Sequence, residues 1–227
     1  MRKGPRRNIS QRSELANDLH ELGYNPDTRE VILGSYGFTG EEEAGVDYRM
    51  ANRLVANLRL LDITNGSPIL IHQITCGGDW VYGMAIYDAI MACRSYVCLL
   101  AYGHASSMSS VMPQAADHRI IMPNCHFMMH HGTGGAVVDQ VGKITEAAWE
   151  ARLIDQMLDI YVGRCRMLPS WFARKRWSRE RIKKHLDRQI RDKHEVYLTA
   201  EEAVDWGLMD EVLDGTVQDV LDWLHAK

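Results

Sequence analysis

The chain has 227 residues, 46% of them hydrophobic and 25% charged, the balance of an ordinary globular domain with a sizeable core. A net charge of −4 gives no reason to expect a nucleic-acid partner, and no apolar run approaches the ~18 residues of a membrane span. Cys76, Cys93, Cys98, Cys125 and Cys165 are odd in number and contain no Cys-x-x-Cys, which favours free thiols in a reducing compartment and a cytoplasmic location.

Residues 1–12 carry five basic side chains and no acid, without the apolar stretch of a secretory signal, and read as a solvated tail. Residues 13–22 predict a short helix closed by Gly23, so residues 1–28 stand apart from a single domain over 29–227. Glu30 to Gly34 reads as a strand. Between residues 45 and 62, Val46, Met50, Leu54, Val55, Leu58 and Leu61 recur at three- and four-residue spacing and predict an amphipathic helix. A turn at Asn65-Gly66-Ser67-Pro68 leads to a buried-type strand over 69–74. Gly77-Gly78 opens a helix over 81–93.

A strand over 96–102 follows, then a serine-containing loop and a helix to about residue 116. Short strands are expected over 119–122 and 126–130, a long helix over 137–162, and a second helical stretch over 169–193. Thr199-Ala-Glu-Glu202 has the pattern of a capping box. A strand over 209–213 and a terminal helix over 217–224 complete the chain. Alternating strands and helices predict an α/β fold with a largely parallel sheet, whose sites gather at the strands' carboxyl ends. Residues 134–196 form a helical arm on this body. Its stretch from Arg164 to Lys193 holds twelve Lys/Arg against three Asp/Glu, and its apolar period favours an assembly surface over nucleic-acid binding.

Gly103-His-Ala-Ser-Ser-Met108 places hydroxyls where a strand gives way to a helix, and His130-His131 closes another apolar run. Serine at such a junction with histidine at a strand end is the raw material of nucleophilic catalysis. Composition does not choose among Ser106, Ser107, Ser109 and Ser110. Cys125, His126, His130 and His131 match no standard zinc spacing, and alternation along a strand would scatter them, so neither a metal nor another cofactor is expected.

Four segments follow in order: Gly83-Met84-Ala85-Ile86-Tyr87-Asp88, Gly103-His104-Ala105-Ser106-Ser107-Met108, Met122-Pro123-Asn124 with Met128-Met129-His130, and Leu198-Thr199-Ala200-Glu201-Glu202-Ala203-Val204 through Gly207-Leu208-Met209-Asp210. Together they resemble the ClpP family, the proteolytic subunits of ATP-dependent Clp proteases. The resemblance runs from about Arg29 to Leu213. It implies a ClpP/crotonase-like fold of repeated ββα units with a projecting helical handle, here enlarged. It further implies a serine endopeptidase with Ser107 as nucleophile and His130 as general base. Gly78 and Met108 N–H groups would form the oxyanion hole; for Met108 only the backbone matters, so its side chain should tolerate change.

Counting back from Tyr197 puts the family's acid on Glu195. Counting forward from Arg181-Ile182 puts it near Gln189, with Asp192 and Asp187 as other candidates. The resemblance also implies self-assembly into stacked heptameric rings fed with polypeptide by an AAA+ unfoldase of the ClpX, ClpA or ClpC type. Three departures stand out: Ile74-Thr75-Cys76 precedes the glycine pair, Ser109 replaces a glycine, and the arm is longer. The first and third, with the uncertain acid, motivate one alternative, a non-catalytic ring subunit or scaffold; a phage-type head-maturation protease of the same superfamily is another.

Overall fold

The computed structural model describes residues 15–34, 45–132 and 140–227. The basic segment 1–12 and the start of the expected helix 13–22 lie outside these residues. Helix α1 (15–22) ends as a π-helical turn, and Gly23 closes it at φ +73°.

The described residues form one eight-stranded sheet. β1 (Tyr24–Asn25) is antiparallel to β2 (Glu30–Gly34). Then β2, β3 (Ile69–Thr75), β4 (Val97–Ser106), β5 (His118–Ile121) and β8 (Glu211–Val212) run parallel in that order. The unbroken apolar runs of β3 and β4 follow from burial on both faces. Ile69, Ile71, Leu99 and Ala101 enter the main core, while Leu70, Cys98 and Leu100 meet Val220, Leu221 and Leu224 of α9 (Val217–His225) on the other side.

Helix α2 (Tyr48–Thr64) starts where Asp47 accepts the N–H groups of Arg49 and Met50, and α3 (Trp80–Met91) where Asp79 accepts those of Val81 and Tyr82. Met50, Leu54, Leu58 and Leu61 form the buried stripe of α2; Val55 falls outside it and is exposed. Val46 precedes the helix and instead makes a parallel bridge with Gly78.

Strand β4 does not stop at Tyr102 as the sequence suggests but continues to Ser106. Gln73 pairs with Ala101 and Thr75 with Ala105, so β4 bulges around Gly103, which sits at φ +64°. Before the bulge β4 pairs with β5; beyond it, His104 to Ser106 pair with β6 (His126–His130). A bulge bends a strand and re-aims its side chains. Here it lets one strand serve two partners and carries the serine segment to β6. β6 in turn pairs antiparallel with β7 (Glu195–Leu198).

The first residues of the arm, with the start of the expected helix 137–162, lie outside the described residues; within them α5 (Gln140–Cys165) buries Met157, Leu158, Tyr161, Val162 and Cys165 in its second half but leaves Ile144 and Trp149 exposed in its first. The expected helix over 169–193 is two helices, α6 (Trp171–Arg174) and α7 (Arg179–Lys193), each capped by a serine, Ser170 and Ser178. Buried Ile182, Leu186 and Ile190 seat α7 on the core, so much of the arm belongs to the body. Buried Phe172 packs edge-on against Trp206 and tilted against Trp177, with ring centroids 5.3 and 5.5 Å apart. Part of the arm's basic charge is matched within the chain: Arg179 with Asp159 at 2.6 Å, Lys183 with Asp155 and Asp159, Arg191 with Asp187, Arg188 with Asp192. Thr199 and Glu202 form the expected capping box of α8 (Ala200–Asp205).

Candidate active site

β4 ends at Ser106 and α4 (Met108–Val111) begins two residues later, continuing as a 3₁₀ turn over Met112–Ala115. Ser107 makes the turn between them at φ +55° and ψ −127°. That region is sparsely populated by side-chain-bearing residues and costs ~1–3 kcal/mol unless its surroundings hold it. They do so on both sides. The Ser107 N–H donates to the Met128 carbonyl at 3.1 Å. The Ser107 carbonyl accepts the Ser110 N–H at 2.9 Å and the Ser110 hydroxyl at 2.6 Å. Of the four serines left equivalent by composition, Ser107 alone lines the adjoining cleft; Ser106, Ser109 and Ser110 are buried.

His130 ends β6 with its Nε2 2.7 Å from Ser107 Oγ. Burial holds its pKa below the ordinary imidazole value, because a charged ring would lose hydration; the carboxylate of Glu195 pulls the other way. His130 therefore favours the neutral form, with a nitrogen able to accept the serine proton. The dyad's reach of twenty-three residues is set by β4–β6 pairing beyond the bulge.

Glu195 stands directly opposite His130 in the β6–β7 register. Its Oε2 accepts the Tyr197 hydroxyl at 2.8 Å, and among the described residues no hydrogen bond joins it to His130. Asp187 lies 3.2 Å from His131 Nε2, not from His130, and also accepts from Arg191. Asp192 is bound to Arg188 on the exposed side of α7. Of the carboxylates considered, Glu195 is the one facing His130.

Gly77 and Gly78 take φ +109° and +143°. A Cβ on Gly77 would stand 2.6 Å from Ser107 Cβ and 3.0 Å from Met108 N, so glycine is required for this close approach. Val46 straps the pair: its N–H donates to the Gly77 carbonyl at 2.5 Å, and its carbonyl accepts the Asp79 N–H at 2.9 Å. Neither the Gly78 N–H nor the Met108 N–H meets an acceptor among the described residues. Sequence reasoning counted Val46 toward a helix and gave Gly77 no role beyond a turn; the bridging role of Val46 has no local signature. The Met108 side chain departs from expectation. It is 3% exposed and packs so closely on Gly83 that a Cβ there would meet its Cγ at 3.0 Å, so a larger or polar replacement would disturb α3 against α4.

Gly78, Ser107, Met108 and His130 share a cleft of ≈ 810 Å³ with an apolar wall of Trp80, Val111, Leu153 and Met157. Among the described residues no group of three or more His, Cys, Asp or Glu could hold a metal ion, and none of the five cysteines is disulfide-bonded. No helix among them is long and apolar enough to cross a membrane.

The fold is the ClpP/crotonase-like one. A solved ClpP1 mutant from Listeria monocytogenes superposes with a TM-score of 0.67 over 86% of this chain and 96% of its own, at 23% identity. The sequence model of the Clp protease family matches residues 42–216. An ATP-dependent Clp protease proteolytic subunit of Deinococcus radiodurans is 32% identical over 174 residues, 75% of this chain and 78% of that protein. Proteolytic subunit 3 of Parasynechococcus marenigrum is 32% identical over 179 residues, 78% of this chain and 80% of its own. The chain belongs to the Clp protease family.

Proposed function

We propose that this protein is a serine endopeptidase subunit of a self-compartmentalised ring protease. The observation that carries the reading is the 2.7 Å contact between His130 Nε2 and Ser107 Oγ at a strand-to-helix turn. In this mechanism Ser107 Oγ attacks the peptide carbonyl while His130 takes its proton, then returns it to the leaving amine. Water, activated by the same imidazole, hydrolyses the acyl-enzyme. Glu195, facing His130 across the ladder, stabilises the imidazolium that forms in each step.

The Gly78 and Met108 N–H groups bind the oxyanion. They border the cleft with no internal acceptor to surrender, and each such donor is worth ~3–4 kcal/mol of transition-state stabilisation.

The substrates are unfolded polypeptides, delivered by an AAA+ unfoldase into stacked heptameric rings. Support comes from the names of the relatives, which are ATP-dependent proteolytic subunits. Support also comes from the apolar residues Ile144 and Trp149 on the exposed half of α5, which another subunit would cover.

A second reading, a ring subunit without catalysis, draws on the engagement of Glu195 by Tyr197. One experiment separates the two. Assembled protein is treated with a fluorophosphonate probe and assayed on a fluorogenic peptide, with Ser107→Ala in parallel. Labelling and hydrolysis that both vanish in S107A support the peptidase; hydrolysis that survives in S107A, or a parent that is neither labelled nor active, overturns it.

A further inference from the structure

The handle helix reaches the nucleophile turn through a buried pair of hydroxyls. Tyr161, on α5, is fully buried, and its hydroxyl lies 2.7 Å from Ser110 Oγ. Ser110 Oγ in turn donates to the Ser107 carbonyl at 2.6 Å. With that proton committed, Ser110 accepts from Tyr161, and the chain of donors runs from tyrosine to serine to carbonyl. Burial pushes the Tyr161 phenol up from its ordinary value, so it stays a donor across the accessible pH range.

The consequence lies in the peptide plane. The carbonyl of Ser107 and the N–H of Met108 belong to one planar trans unit and point in opposite directions. Fixing the carbonyl toward Ser110 therefore fixes the Met108 N–H toward the other side, and Met108 borders the cleft. The second donor is set by the same device: the Gly77 carbonyl, held by the Val46 N–H, turns the Gly78 N–H away from Val46. A Ser110 N–H bond alone would leave the Ser107 carbonyl one partner; the hydroxyl supplies a second, in a buried setting where water does not compete.

We propose that Tyr161 and Ser110 are positioning residues that hold the Ser107–Met108 peptide in the orientation that presents the Met108 N–H to the oxyanion. The inference rests on the peptidase reading above. It also makes the seating of α5 a condition for full activity, because Tyr161 comes from the arm and not from the sheet.

The test compares Tyr161→Phe, Ser110→Ala and the double variant with the parent in assembled protein. It measures kcat and KM on a fluorogenic peptide, the rate of fluorophosphonate labelling, and the thermal midpoint. Losing a whole oxyanion donor costs 10²–10³ in kcat, so loosening one is expected to lower kcat and labelling about tenfold in S110A, with KM within about twofold. Y161F, an isosteric change that keeps the Ser110 bond to the carbonyl, is expected to lose about threefold. The double variant should be no worse than S110A, since Tyr161 acts through Ser110.

Parent-like kcat in both single variants, a change confined to KM, or additive losses in the double variant would each overturn the inference. If S110A does not assemble, Y161F alone decides it by the same criteria. Peptide hydrolysis surviving in S107A would instead remove the underlying peptidase reading, so the two failures are distinguishable.

Discussion

His130 and Glu195 face each other across the β6–β7 ladder, while the Glu195 carboxylate accepts a hydrogen bond from the Tyr197 hydroxyl, two residues along the same strand. Register brings the carboxylate to the histidine; a local contact on one face of β7 shares it. Period-two alternation explains both, since residues 195 and 197 project to the same side of the strand.

The pH profile reports on this pair. On the peptidase reading His130 is the general base and acts when neutral, so activity should climb as pH rises through its pKa, which burial holds below its ordinary value and Glu195 raises. Glu195→Gln removes the raising influence, so the acid limb of kcat/KM moves to lower pH. The plateau falls roughly tenfold, because the imidazolium loses its counter-charge. Tyr197→Phe frees the carboxylate for His130 and moves the acid limb to higher pH. A profile in E195Q that superimposes on the parent's would remove Glu195 from the mechanism.

Gly78→Ala should strongly impair peptide hydrolysis. The residue sits at φ +143°, and its Cβ would meet the Val46 carbonyl oxygen at 2.7 Å. The strap must shift and the Gly78 N–H with it, for a loss of about 10² or more in kcat. Steady-state kinetics together with a melting curve check this, and a variant retaining parent-like kcat would place the oxyanion elsewhere.

Arg119 ties β5 to the segment that follows α8. It is 4% exposed and grips Asp210 through Nε at 2.9 Å and Nη2 at 2.5 Å, with Nη1 reaching the Gln114 side chain at 2.8 Å. Arg119→Met should cost about 2 kcal/mol by removing the guanidinium donors from Asp210, which keeps only the residue-119 N–H at 2.8 Å and His118 nearby, read as a lower denaturation midpoint in urea. Burial alone would raise the Asp210 pKa, but hydrogen bonds and charge from Arg119 outweigh it and hold the carboxyl below its ordinary 3.8. The unfolded chain then takes up that proton first, so this stabilisation is full above about pH 4 and fades as pH falls through the folded pKa. In R119M that acid sensitivity should shrink.

Replacing Ile144 and Trp149 together by glutamate should weaken assembly with little effect on subunit stability. Both side chains are exposed, at 73% and 57%, and lie outside the core. Sedimentation velocity checks the outcome; a particle of unchanged size would show that this half of α5 is not an assembly surface.

The turn at Ser107 shows how far reading along the chain can go. Ser107 is one of four serines with equal local claims, and only the bulge at Gly103 and the β4–β6 pairing turn it to the cleft while burying the other three. Glycine at 103 marks a break that sequence reads as the strand's end, because a bulge and a loop begin with the same residue. The arm presents the opposite case. Its apolar period, carried by Ile182, Leu186 and Ile190, reads as an assembly surface along the chain, yet these residues enter the chain's own core; period alone does not say which a stripe will meet.

Periodicity, caps and turn residues act within a few positions, so the strand–helix alternation, the capping box at Thr199 and the double burial of β3 were fixed by the chain alone. The dyad distance, the opposition of Glu195 to His130, and the links from Val46 to Gly77 and from Tyr161 to Ser110 join residues 23 to 65 positions apart or set by strand register. Such contacts depend on which elements pair and in what register. Local energetics leaves that choice nearly degenerate, and the packing of the whole core decides it.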